Sequence, residues 1–137
     1  MTAPARRAAL RVLRDVHTKR TDLPDAQARV RTTLSDQRDR ALATEIAVGT
    51  IRWRASLDFI IGEASSRPLT RIDPDVLDLL RLSTYQIFYL KRVPNHAVVN
   101  DAVELARDLG KSSAATYVNA VLRAITKEDF SSRLPSL

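Results

Sequence analysis

The sequence predicts an all-α fold, one bundle of about seven helices packed around a single apolar helix. Three observations carry it. The stretch Asp73 to Arg92, DPDVLDLLRLSTYQIFYLKR, places Val76, Leu77, Leu79, Leu80, Leu82, Tyr85, Ile87, Phe88 and Leu90 on nearly every side of a helix. Such a helix is enclosed by protein or by lipid. Asp78, Arg81 and Gln86 interrupt the run before it could cross a bilayer, so protein encloses it. Second, the chain has only three glycines and few β-branched alternations. That argues against sheets and phosphate-cradling loops. Third, 137 residues with 45% hydrophobic and 28% charged side chains suit one globular domain with a real core.

Charge and cysteine content narrow the function. The net charge is +6 and the pI about 10.3. A polyanionic partner follows, nucleic acid before membrane, although a solvated arginine-rich surface has the same composition. With no cysteine there is no disulfide, thiolate nucleophile or Cys-ligated metal. The N-terminal MTAPARRAALRVL is basic but lacks the apolar run of a signal peptide, so a cytoplasmic protein is expected.

Each element has a local reason. Pro4 starts the first helix, whose apolar face is Leu10, Leu13 and Val16 with Ala9 and Val12. Arg7, Arg11 and Arg14 follow on the opposite side and Arg6 lies near the exposed end, giving a row of solvent-facing guanidinium groups. Cations at a helix N-terminus oppose the macrodipole. Guanidinium forks match phosphate oxygens, so the stripe is a candidate for polyanion binding.

Thr21 to Asp25 reads as a loop, and a weakly amphipathic helix spans about Asp25 to Leu34. Ser35 or Asp36 caps a third helix with Leu42, Ile46, Thr50 and Trp53 inward. Gly49 within it costs about 1 kcal/mol against Ala, which points to close approach of another helix. The apolar pattern continues through Leu57, Phe59, Ile60 and Ile61 to Gly62, as one kinked helix or two broken near Arg52. Trp53 reads first as a core residue; the flanking Arg52 and Arg54 stay candidates for phosphate or base contact.

Asp73 caps the central helix, with Pro74 at its first position. Val93-Pro94-Asn95 is a turn, and a helix runs from about His96 to Leu109. Gly110 stops it, and Ser112 caps a last helix through about Lys127. Residues 1–128 form the domain; 129–137, DFSSRLPSL, read as a tail or the start of a linker.

No catalytic constellation is present. His17 and His96 lie on different helices without carboxylate or Cys at metal-ligand spacing, so no metal site is expected. Acidic residues read as caps or surface charges, with Glu104 able to pair with Arg107 or Asp108. There is no GxGxxG, Walker sequence or serine elbow. Asn100 and Asn119 sit within apolar helical runs, which reads as buried amides whose hydrogen bonds hold adjacent helices or a loop in register.

The runs LLRLSTYQIFYLKRVPNHAVVNDAVELARDLG and YVNAVLRAI, with ARRAALRVL, RDRALATEIAVGTIRW and LDFII before them, resemble the NusB-like all-helical RNA-binding domain over Ala5 to Ile125. YQ, VPNHAVVN and VNAVLR are most similar to the variant at the N-terminus of bacterial ribosomal RNA cytosine-5 methyltransferases. The resemblance implies a non-catalytic domain that binds small-subunit ribosomal RNA and docks against protein. It also implies a separate catalytic domain with S-adenosylmethionine and a cysteine nucleophile; this chain itself needs no cofactor and is not an enzyme alone. It places Arg6 and Arg7 on RNA, and the charge stripe adds Arg11 and Arg14. Tyr117 falls where the family has an aromatic near RNA, with core packing its other reading. Lys91 and Arg92 match a basic pair at the end of the central helix, where cations are favourable in any case. Two alternatives stay open. One is a stand-alone antitermination factor that binds RNA with a ribosomal protein. The other is a protein-docking module with an incidental basic surface.

Overall fold

A computed structural model describes residues 3–18, 21–128 and 130. Among them the chain forms seven α-helices and no strand. These are α1 (Pro4–His17), α2 (Leu23–Arg31), α3 (Gln37–Arg52), α4 (Arg54–Ala64), α5 (Pro74–Tyr89), α6 (Asn95–Asp108) and α7 (Ala115–Lys127). Short 3-10 turns at Leu69–Arg71 and Ser112–Ala114 precede α5 and α7. The all-α expectation holds.

The central helix stands where the sequence places it. The Asp73 carboxylate accepts from the Asp75 amide at 2.9 Å, and Pro74 opens the helix. Helices α1, α3, α4, α6 and α7 all pack on α5, and α2 is held by α1. Leu79, Leu80 and Leu82 have no exposed surface. Each fully buried leucine contributes roughly 1.5–3 kcal/mol. Burial on every side extends to polar residues: Asp78, Arg81, Ser83, Thr84 and Gln86 are buried too. Ala5, Ala8 and Ala9 of α1 and Ala43 and Ala47 of α3 are buried, and such small side chains let two helix backbones approach.

Several boundaries differ from the local reading. Helix α2 begins at Leu23 because Asp22 caps it, accepting from the Asp25 amide at 2.9 Å. Of the two candidates before α3, Asp36 is the cap, accepting from the Arg38 amide at 2.7 Å. The chain breaks at Trp53, giving two helices rather than one kinked one. Helix α5 ends at Tyr89, so Lys91 and Arg92 lie in the following turn and not in its last turn. Ser112 does not cap α7, which has no side-chain cap and is entered through the 3-10 turn. Gly110 does stop α6, at φ +74°. The Lys111 amide donates to the Ala106 carbonyl at 2.9 Å and the Gly110 amide to the Arg107 carbonyl at 3.0 Å. This is the glycine-terminated helix end that frees no carbonyl to the interior.

Within the expected tail, Phe130 is buried and meets Phe88 edge-on at 5.7 Å between ring centroids. The remaining residues of 129–137 lie outside the described residues.

Candidate nucleic-acid interface

The arginines of α1 are not a row of equivalent free cations. Arg6 turns inward: its side chain is 11% exposed and pairs with Asp101, and its Nε donates to Gln86 Oε1 at 2.7 Å. Arg14 also leaves the stripe. It pairs with Asp75 and, at 2.6 Å, with buried Asp78. Arg7 stays exposed and meets Asp108 at 2.6 Å. Arg11 is exposed and makes no ion pair with a described residue. The stripe splits because α1 packs on α5 and α6, whose carboxylates take the arginines on its flanks.

Asp78 is the centre of the network that holds Arg14. Besides Arg14, its carboxylate accepts from His17 Nδ1 at 2.7 Å and from Arg81 at 3.1 Å. Arg81 reaches on to Asp58 through two bonds of 2.7 and 3.1 Å. Burial alone pushes the Asp78 carboxyl upward, but hydrogen bonds from His17 and Arg14 outweigh it and hold it below the ordinary 3.8. Burial likewise lowers the tendency of Arg81 to hold its proton, and the bonds to Asp58 and Asp78 more than restore it. Asp78 is therefore neither a cap nor a surface charge. The network ties α1, α4 and α5 together.

A second basic group lies at the far ends of α3 and α5. Arg52 and Lys91 are exposed without an ion pair to a described residue. Arg92, 71% exposed, meets Glu45 at 2.8 Å. Arg52 and Arg92 both act on the hydroxyl of Tyr85, which places them on one side of the bundle. Beneath them three aromatic rings stack: Trp53 on Tyr89 at 5.2 Å, and Tyr89 on Tyr85 at 5.6 Å. Trp53 is half-buried in this column, as its core reading expects. Arg54 sits apart and lies 3.9 Å from Asp58.

Tyr117 is half-buried, and its hydroxyl shares a hydrogen bond with Ser65. The Arg67 guanidinium covers its ring at 4.4 Å from the centroid. Such a stack is worth about 0.5–1 kcal/mol at an exposed site. Sequence reasoning missed Arg67, because its partner lies fifty residues on.

Energetics rank these cations. Exposed pairs such as Arg7–Asp108 and Arg92–Glu45 are worth about 0–1 kcal/mol, so a phosphate displaces the carboxylate cheaply. Arg6 and Arg14 are committed to partly buried pairs whose loss strands a carboxylate. The available set is Arg7 and Arg11 on one side, with Arg52, Lys91 and Arg92 on another. Among the described residues, no group of three or more His, Cys, Asp or Glu could hold a metal ion. No described helix is long and apolar enough to cross a membrane.

The two asparagines overturn their sequence reading. Asn100 is exposed and Asn119 half-buried. Neither joins two helices: Asn119 accepts from Arg123 on its own helix at 3.1 Å, and Asn100 bonds to no described residue. Asp108 holds Arg7 of α1.

The fold and the surface define the class, an all-helical bundle that presents guanidinium groups on two sides. The chain belongs to the NusB family, whose model matches residues 3–127. It is 46% identical over 132 residues to a Mycobacterium tuberculosis protein named as a methyltransferase, covering 92% of this chain and 28% of that protein. It is 40% identical over 93 residues to ribosomal RNA small subunit methyltransferase B of Pseudomonas putida, covering 68% of this chain and 21% of the relative. The transcription antitermination protein NusB of Coxiella burnetii is 35% identical over 95 residues, 69% of this chain and 68% of that protein. The chain thus spans only a fifth to just over a quarter of the methyltransferases it matches. A crystal structure of the antitermination factors NusB and NusE with double-stranded RNA has a chain of the same fold. Its TM-score is 0.82 at 23% identity, over 90% of this chain and 94% of that one.

Proposed function

We propose that this chain is the RNA-binding domain of a cytoplasmic ribosomal RNA cytosine-5 methyltransferase and helps to hold small-subunit ribosomal RNA. The observation that carries the RNA-binding part is that within the two basic groups Arg11, Arg52 and Lys91 are exposed and have no carboxylate partner among the described residues. The fold holds Arg6, Arg14 and Arg81 in buried or partly buried pairs but leaves these to solvent. The methyltransferase part rests on the higher identity and greater coverage of this chain by the Mycobacterium protein. With no cysteine in these 137 residues, a cysteine-dependent methyl transfer falls to a separate catalytic domain, which would also bind S-adenosylmethionine.

Binding to a fragment of small-subunit ribosomal RNA, titrated at several salt concentrations, tests the RNA contact. Each phosphate contact contributes about 0.7–0.9 to the slope of log affinity against log salt. Arg11→Ala and Lys91→Ala are each expected to weaken binding and lower the slope by about one unit or less. Slopes unchanged in both variants would remove these residues from the interface.

A second reading is a free-standing antitermination factor that binds RNA together with a ribosomal protein. It is favoured by the coverage of the Coxiella protein, 68% of its length. The gene decides between them. An open frame continuing past Leu137 into a glycine-rich loop and a cysteine motif supports the methyltransferase, and a stop codon supports the factor.

A further inference from the structure

Helix α3 carries cations at both ends of one exposed face. Arg52 closes the helix and belongs to the second basic group, with Lys91 and Arg92. At the other end Arg31 of α2 and Arg40 of α3 line an open cleft of about 750 Å³, together with Ser35, Gln37, Thr44 and Glu45. Arg31 and Arg40 are exposed and make no ion pair with a described residue. The carboxylate of the cleft, Glu45, is already held by Arg92. Arg40 stands in the first turn of α3, where a cation opposes the macrodipole. Its Nε donates to the Leu34 carbonyl at 2.6 Å. That bond fixes the guanidinium at the α2–α3 connection and leaves its terminal nitrogens without an acceptor among the described residues. A fork held in place this way has less order to lose on binding.

The two ends are joined along the helix. Ala41, Glu45, Val48 and Arg52 recur at helical spacing and are exposed or half-buried, while Ala43, Ile46, Ala47 and Thr50 face the core. Arg40 and Arg52 stand about 18 Å apart along the axis, at a rise of about 1.5 Å per residue. Between them the face holds no aromatic ring on which a base could stack. It also holds no exposed large apolar side chain to anchor a protein partner. Guanidinium, hydroxyl and amide donors without such anchors suit phosphate oxygens, which carry no sequence information. We propose that this face of α3 is a track for the sugar–phosphate backbone of RNA, running from Arg52, Lys91 and Arg92 to the cleft of Arg31 and Arg40. It rests on the RNA-binding reading and adds to it a contact that reads no base.

The test titrates salt against the affinity of the chain for single-stranded oligouridine and oligoadenosine. Arg31→Ala and Arg40→Ala are each expected to lower the slope of log affinity against log salt by about 0.7, the value of one single-strand phosphate contact. The loss should be equal on both oligonucleotides, because phosphate contacts do not distinguish bases. Glu45→Gln removes the carboxylate that competes for Arg92 and should tighten binding about two- to fivefold, the scale of one exposed ion pair. Arg29, exposed on α2 but outside the cleft, is the control. If Arg29→Ala lowers the slope as much as Arg31→Ala, net charge explains the effect and the track is overturned. Arg31→Ala decides the matter where Arg40→Ala loosens the α2–α3 connection, since the Arg31 side chain bonds to no described residue. Slopes unchanged in both variants, with Arg11→Ala and Lys91→Ala still lowering theirs, overturn the track alone. Polyglutamate that binds as tightly as RNA, and weakens with the same two variants, assigns the face to an acidic protein and also overturns the track. Failure of the wild-type chain to bind either oligonucleotide overturns the underlying RNA-binding reading as well.

Discussion

Replacing Asp78 with alanine is expected to cost about 3–5 kcal/mol of stability, the range for removing one partner of a buried ion pair. The carboxylate is 1% exposed and accepts from three cationic or polar groups on two helices, Arg14, His17 and Arg81. Its removal leaves Arg81, itself nearly buried, with Asp58 alone, and frees Arg14 to Asp75. Asp78→Asn keeps the volume but turns one acceptor into a donor facing donors, so it is expected to be nearly as damaging. The acid limb follows the same logic. The native carboxyl is held below 3.8, so the unfolded chain takes up its proton first. The contribution is complete above the unfolded value and is lost as pH falls through the lower native one. Wild-type stability should thus fall more steeply than that of Asp78→Asn as pH drops below about 4. Urea unfolding at neutral and acid pH measures both effects. A neutral-pH loss under about 1 kcal/mol for both variants would show that the network is not a structural centre.

That network also marks the limit of what the sequence discloses. Asp73 and Pro74 announce the start of α5 because a cap and a first-turn proline act within a few residues. Gly110 ends α6 for an equally local reason, its positive φ. The pairing of Asp78 and Arg81 has no local cause. Their partners Arg14, His17 and Asp58 are brought in by other helices. The pattern in α5 shows that these charges are enclosed but not by what. The solvent-facing arginine row breaks for the same reason. Helical spacing aligns Arg7, Arg11 and Arg14, yet α5 supplies the carboxylates that draw Arg14 away. The asparagines err in the opposite direction. Apolar neighbours suggest burial, but Val98, Val99, Ala102, Leu105 and Ala106 already fill the inward face of α6. Asn100 is left outside.

Gly49 is the position where the smallest possible substitution should do the most damage. A costly glycine inside α3 predicts a close neighbour, and the structure supplies it. A Cβ on Gly49 would collide with the ring and hydroxyl of Tyr85. The ring has little room to retreat, because it is 6% exposed and stacked on Tyr89. Alanine gains about 1 kcal/mol of helix propensity over glycine. Overpacking in a filled core costs typically 1–3 kcal/mol and occasionally more. Here the clash is with a rigid ring rather than the end of a flexible chain, so the cost is expected at the upper end and Gly49→Ala to be destabilising by about 2 kcal/mol net. The sign depends on Tyr85, which gives a sharp test. In a Tyr85→Ala background, itself destabilised by about 3–5 kcal/mol, the Gly49→Ala change loses its obstacle and retains its propensity gain. It should then become neutral or stabilising, and the double-mutant cycle should show a coupling of about 2–3 kcal/mol between the two positions. Additive effects in that cycle would mean that α3 and α5 do not meet at this point. The aromatic column of Tyr85, Tyr89 and Trp53 would then lack the groove in α3 that seats it beneath Arg52 and Arg92.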